Sequence, residues 1–319
     1  PARTKVIARR SAYHGTTLGA LSITGLEPIK EPFRPLLNGQ SRHVQTTDRR
    51  RCDSCASAPA CTLACADEIE SAILAEGPET VAAVYLEPVQ NAGGCITPPD
   101  GYWARVREIC DRHGVLLVSD EVICAFGRIG DWFGASRLGY EPDLLTFAKG
   151  VTSGYAPLGG VLVSDRIAQP FIDGAVPFHH GITFAGHPVS CAVALANLDV
   201  MADEDLPGRV RGLEGEFRAA LEQLLDLPIT AEVRGMGYFY AIELTKAGEA
   251  FAPAERDWLV RDFVIRRARE LGLLCRADDR GGYPVVQVSP PLVVGPDEFD
   301  FMASVLRQVL LEAWKEIAG

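Results

Sequence analysis

Apolar runs of two lengths alternate along the first two thirds of the chain. Val6-Ile7-Ala8, Val81 to Leu86, Val115 to Val118, Leu144 to Ala148 and Leu158 to Ser164 are short and continuous, rich in Val, Leu and Ile. Runs of this kind read as strands buried on both faces of a parallel sheet. Between them lie stretches of helical period. Ala66 to Ala75 is predicted helical with Ile69, Ile73 and Leu74 on one side, and Tyr102 to His113 with Val106, Ile109 and Cys110 inward. Alternating strands and helices predict right-handed parallel crossovers, hence an α/β layer fold. Gly25 to Thr47 and Gly174 to Pro188 lack a period and read as loops. A helix is expected over Val189 to Met201.

The pattern changes beyond about residue 205. Helices are predicted at Val210–Leu225, Trp258–Leu271 and Phe299–Ile317, and short strands at Tyr238–Leu244, Leu273–Arg276 and Val285–Val288. Residues 1–205 therefore form the expected large α/β domain and 206–319 a small α+β domain. At 319 residues and 47% hydrophobic, the chain has material for both cores.

Two buried runs end in chemistry. Val115-Leu116-Leu117-Val118 runs into Asp120 and Glu121, and Leu144 to Ala148 delivers Lys149 ahead of a Gly/Pro-rich stretch. Open α/β sheets bind ligands beyond the carboxyl ends of their strands. By itself an Asp beside a Lys reads equally as an ion pair. The residues around them decide the matter: Ser119-Asp120-Glu121-Val122, Phe126-Gly127-Arg128, Gly130, Trp132-Phe133-Gly134, Pro142-Asp143, Phe147-Ala148-Lys149-Gly150 and Thr152 to Gly160. In this order they resemble the class III aminotransferases, the fold type I enzymes of pyridoxal 5'-phosphate that include the ω-amino acid:pyruvate transaminases.

The resemblance implies a catalytic Lys149 that carries the cofactor aldehyde and an Asp120 paired with its pyridinium nitrogen. Tyr13, in the stretch Tyr13-His14-Gly15, would lie on one ring face with Val122 on the other. Glu87, at the Glu87-Pro88 strand exit, would support ring-side hydrogen bonds; its alternative is a loop cap. Thr183 would reach the cofactor phosphate of a partner subunit, so a homodimer or larger assembly is implied, with the site at the interface. Arg276 would bind the carboxylate of a keto acid such as pyruvate, or else pair with Asp278 or Asp279. The substrates implied are an amine or ω-amino acid donor and a keto acid acceptor. An aminomutase, a decarboxylase and a non-catalytic structural protein remain alternatives. Family members carry a segment before this point with a phosphate-gripping Gly/Ser turn, so the amino-terminal part is expected to be missing here.

Charge and cysteines narrow the picture further. A net charge of -11 argues against nucleic acid and anionic membranes as partners, and no apolar run approaches the roughly 20 residues of a membrane span. The chain has 9 Cys and no secretory signal, which points to reduced thiols in a cytoplasmic protein. Cys52, Cys55, Cys61 and Cys65 are spaced loosely for zinc and include no His; reduced structural thiols are the expectation. His179, His180 and His187 fit no zinc spacing either, so no metal is expected.

Overall fold

The computed structural model describes residues 3–52, 55, 61–174 and 176–318. Its larger sheet has six strands: β1 (Lys5–Arg9), β2 (Ser41–Val44), β3 (Val81–Leu86), β4 (Leu116–Asp120), β5 (Leu144–Phe147) and β6 (Gly160–Val163). They lie in the order β2-β1-β3-β4-β5-β6. The first five pair in parallel, and β6 closes the edge antiparallel to β5. Helices Ala64–Glu76 and Tyr102–His113 supply the crossovers into β3 and β4. Their apolar stripes bury Ile69, Ile73, Val106, Ile109 and Cys110 against the sheet, where Trp103 stacks on Tyr140 with ring centres 3.9 Å apart. Leu74, expected beside Ile73, is instead 57% exposed. It follows Ile73 directly, and a helix turns about 100° per residue, which carries Leu74 off the buried stripe.

The second sheet is antiparallel, in the order β7-β8-β10-β9, from β7 (Thr230–Met236), β8 (Phe239–Leu244), β9 (Arg276–Asp278) and β10 (Val285–Val288). Helices Leu206–Glu222 and Pro296–Ala318 bring Phe217 and Phe299 onto Tyr238, each with ring centres 5.4 Å away. The fold is thus the mostly parallel α/β sheet with a smaller antiparallel α+β part that the pattern predicts.

Several elements depart from the sequence reading, among them strand β7, which it did not foresee. The stretch read as a loop over Gly25 to Thr47 contains a helical turn, Glu27–Lys30, and the edge strand β2. Ser41-Arg42-His43-Val44 pairs on one side only and carries three polar residues, Arg42 exposed and Ser41 and His43 half-buried, which hides the strand from a hydrophobicity reading. The strand expected over Leu273 to Arg276 begins only at Arg276 and runs to Asp278. The helix expected over Trp258 to Leu271 opens with a π-helical turn, Trp258–Phe263.

Candidate active site

Register brings the strand ends together. Leu86 of β3 lies opposite Ser119 of β4, and Asp120 opposite Thr146 of β5. Glu87, Asp120 and Lys149 therefore leave three adjacent strands at one edge of the sheet. Asp120 is buried, and its carboxylate is held by three groups. Asp120 Oδ2 sits 2.7 Å from His14 Nδ1, while Oδ1 accepts from Val122 N at 3.2 Å and Thr146 Oγ1 at 3.3 Å. His14 in turn meets the edge of the Tyr85 ring, centres 4.7 Å apart.

Glu121 follows Asp120 but takes no part at this edge. Its carboxylate accepts from Gly134 N and Ala135 N, both at 2.7 Å, at the start of the helical turn Gly134–Leu138. Gly134 is required for this approach: a Cβ there would stand 2.7 Å from Pro88 and 2.9 Å from Glu121 Oε2. Burial nevertheless pushes the Glu121 carboxyl up to about 7.

Lys149 opens a tight turn, Lys149–Thr152, with a φ of 42°. Desolvation lowers its amine below the ordinary lysine range, opposed by the charges of Asp120 and Glu87 and aided by Arg276. No hydrogen bond holds its Nζ among the described residues. Two buried polar atoms beside it are also unpartnered, His14 Nε2 and Glu87 Oε1. The other oxygen of Glu87 accepts from Asn91 N at 2.9 Å, and desolvation raises its carboxyl above the usual range. A fixed carboxylate, a solvent-reachable amine and unpaired polar atoms on adjacent strand ends fit an aromatic heterocycle with a ring nitrogen and an electrophilic carbon. Pyridoxal phosphate is such a group.

The remaining expected residues scatter around this core. Tyr13 is half-buried; desolvation holds the Arg276 guanidinium below its usual range, with Tyr13 among the nearby groups that oppose the shift. Val122 is half-buried next to Asp120. Arg276 Nη2 pairs with Asp278 Oδ2 at 2.9 Å, and Arg280 shares the same carboxylate, with Nε 2.7 Å from Oδ2. Thr183 lies exposed in the irregular stretch after Gly174, and bonds to none of these groups. His14 enters the sequence reading only as the neighbour of Tyr13, because the partner that gives it a role, Asp120, is 106 residues away.

Other ligating possibilities recede. Among the described residues no group of three or more His, Cys, Asp or Glu side chains is placed to hold a metal ion. A hollow of about 890 Å³ lies at the opposite, amino-terminal ends of β4 and β5. Its guanidiniums, Arg107 and Arg166, both pair with Asp143.

A mostly parallel sheet presenting Asp120 and Lys149 at adjacent strand ends is an arrangement that pyridoxal phosphate fits, and comparison with known proteins supplies the class. The sequence profile of the class III aminotransferases matches residues 1–310. A probable aminotransferase of Mycobacterium tuberculosis is 54% identical over 99% of this chain and 68% of its own length. The putrescine–pyruvate aminotransferase of Pseudomonas aeruginosa is 36% identical over 97% of this chain and 68% of its own. The structure of an (S)-enantioselective ω-transaminase from Thermomicrobium roseum superposes with a TM-score of 0.90 at 38% identity, covering 98% of this chain and 68% of that one. The chain belongs to the class III aminotransferases. It is accordingly a pyridoxal-phosphate-dependent transferase of amino groups.

Proposed function

We propose that the enzyme moves an amino group from a primary amine or ω-amino acid to a keto acid of the pyruvate type, with Lys149 as the catalytic base and cofactor anchor. The observation that carries this reading is the unpartnered Lys149 amine beside Asp120 and Glu87, at the edge where β3, β4 and β5 end. Relatives named for putrescine with pyruvate and for ω-amino substrates support the substrate class.

When bound, pyridoxal phosphate supplies the electron sink that lets a bond at the donor's amine-bearing carbon break. The protein does the rest. Desolvation lowers the Lys149 amine and so favours its neutral form, the form that acts as nucleophile and then takes the proton from the donor carbon. Asp120, fixed by His14, Thr146 and the Val122 amide, holds a negative charge where a pyridinium nitrogen needs one. Tyr13 and Val122 would cover the two ring faces and exclude water. Glu87 offers its free Oε1 to the ring side. Arg276 takes the keto acid carboxylate in a bidentate grip once it leaves Asp278.

Thr183 completes the phosphate site of a second subunit. Its stretch of chain exposes Phe178 by 68% and Phe184 by 74%, with Ile182, and β6 leaves Val161 and Leu162 exposed as well. An exposed area of this kind suits a homodimer, since lone subunits rarely leave so many large apolar side chains in water. The chain divides into a large part through residue 205 and a small part from 206, with the cleft between them. The acidic surface suits the cytoplasm.

The test is to reduce the cofactor-loaded enzyme with borohydride and map the modified peptide. The label is expected on Lys149, and Lys149→Ala should abolish turnover with the fold kept; label on another lysine overturns the assignment.

A further inference from the structure

Four cysteines stand outside the site: Cys52, Cys55 and Cys61 between the turn Arg49–Arg51 and the helix Ala64–Glu76, and Cys65 in the first turn of that helix. Cys55 Sγ lies 3.6 Å from Cys61 Sγ and 3.5 Å from Thr62 Oγ1, and Cys52 bonds to it as well. We propose that Cys55 and Cys61 are a dithiol that closes to a disulfide by exchange with a small external disulfide of the glutathione class.

Of the two thiols bonded to Cys55, Cys61 is half-exposed and Cys52 is buried, which favours closure with Cys61. A disulfide needs its sulfurs about 2.05 Å apart, so thiols already in contact require only a short approach by side chains six positions apart. Exposure divides the roles. Cys61 is half-exposed and meets the external disulfide, whereas Cys55 is 1% exposed. Hydrogen bonds from Thr62 bring the Cys55 thiol down to about 7, so much of it is thiolate at neutral pH. Burial moves its neighbours the other way: the Cys61 thiol is raised, and Cys65 is pushed up to about 12, which removes Cys65 as an attacker.

The exchange balances in two steps. Cys61 Sγ, as thiolate, attacks the external disulfide, forming a mixed disulfide and releasing one small thiol. Cys55 Sγ then attacks Cys61 Sγ, breaking the mixed bond and releasing the second small thiol. Two protein thiols are oxidised and one external disulfide is reduced. The raised Cys61 thiol makes the first step limiting, so closure should accelerate as pH rises above neutrality. Closure would tie down the chain just past Arg51. That guanidinium lies 3.3 Å over the Tyr283 ring and pairs with Glu243 of the second sheet.

The experiment treats the cofactor-loaded enzyme with oxidised glutathione, blocks the remaining thiols with an alkylating reagent, and maps peptides by mass spectrometry. The expected result is a cross-linked peptide joining Cys55 to Cys61, with both thiols lost to alkylation and restored by a dithiol reductant. Cys55→Ser should stop at a glutathione adduct on Cys61, and Cys61→Ser should leave Cys55 unmodified. Three results overturn the proposal: closure onto Cys52 or Cys65, no closure at any glutathione ratio, or zinc released in step with thiol loss. The wild-type map alone decides these, so a variant that fails to fold does not obscure the answer.

Discussion

Arg276 is drawn two ways. Asp278 holds its guanidinium at 2.9 Å, and a keto acid carboxylate entering beside Tyr13 would compete for it. Arg280 already satisfies Asp278 through contacts of 2.6 to 3.0 Å, so the exchange leaves no buried carboxylate unpaired. Arg276→Ala should raise the KM for pyruvate by roughly one to two decades, and leave the half-reaction with a simple amine nearly unchanged. Stopped-flow traces of each half-reaction check this; equal losses in both would make Arg276 a structural residue. Asp120 and Lys149 were legible as candidates because each ends a buried apolar run. The grip on Asp120 was not. His14 and Thr146 approach it from other strand ends, and strand order cannot be read from the chain.

Glu121 shows how one element shapes the next. It caps the turn Gly134–Leu138, yet burial raises its carboxyl to about 7. The folded value lies above the unfolded one, so the protonated form favours folding. Its contribution is complete below about pH 4.5 and is lost as pH rises through about 7. The loss is up to about 3 kcal/mol. Urea titrations from pH 5 to 8 should show stability falling over that window, and Glu121→Gln should flatten the fall; an unchanged slope would place the titrating group elsewhere. Strands β3, β4 and β5 were readable because their apolar runs are buried on both faces. Strand β2 was missed because a one-sided edge needs no such run, and β9 was placed three residues early because Leu273 and Cys275 pack on the core without pairing.

The whole molecule is held by bridges between its two sheets. Arg234 of β7 donates to the carbonyls of Gly93 and Gly94, both at 2.6 Å, and Gln287 of β10 donates to Asn91 O at 2.8 Å. These contacts span 140 to 196 residues, a separation at which no periodicity reports a neighbour. The two sheets were therefore foreseeable and their junction was not. Thr183 raises the same matter between chains, because it stands exposed and bonds to none of the groups around Lys149. A lysine from one subunit and a threonine from the other would serve a single centre. Two crippled proteins should then rescue each other. Lys149→Ala lacks the base but keeps the threonine, and Thr183→Ala has the reverse defect. Unfolded together and refolded with cofactor, they should form mixed pairs in which one centre is intact, recovering about a quarter of the wild-type rate per subunit. Each alone should stay near its own baseline, and a mixture no better than the average of the two would mean that every chain builds its centre unaided.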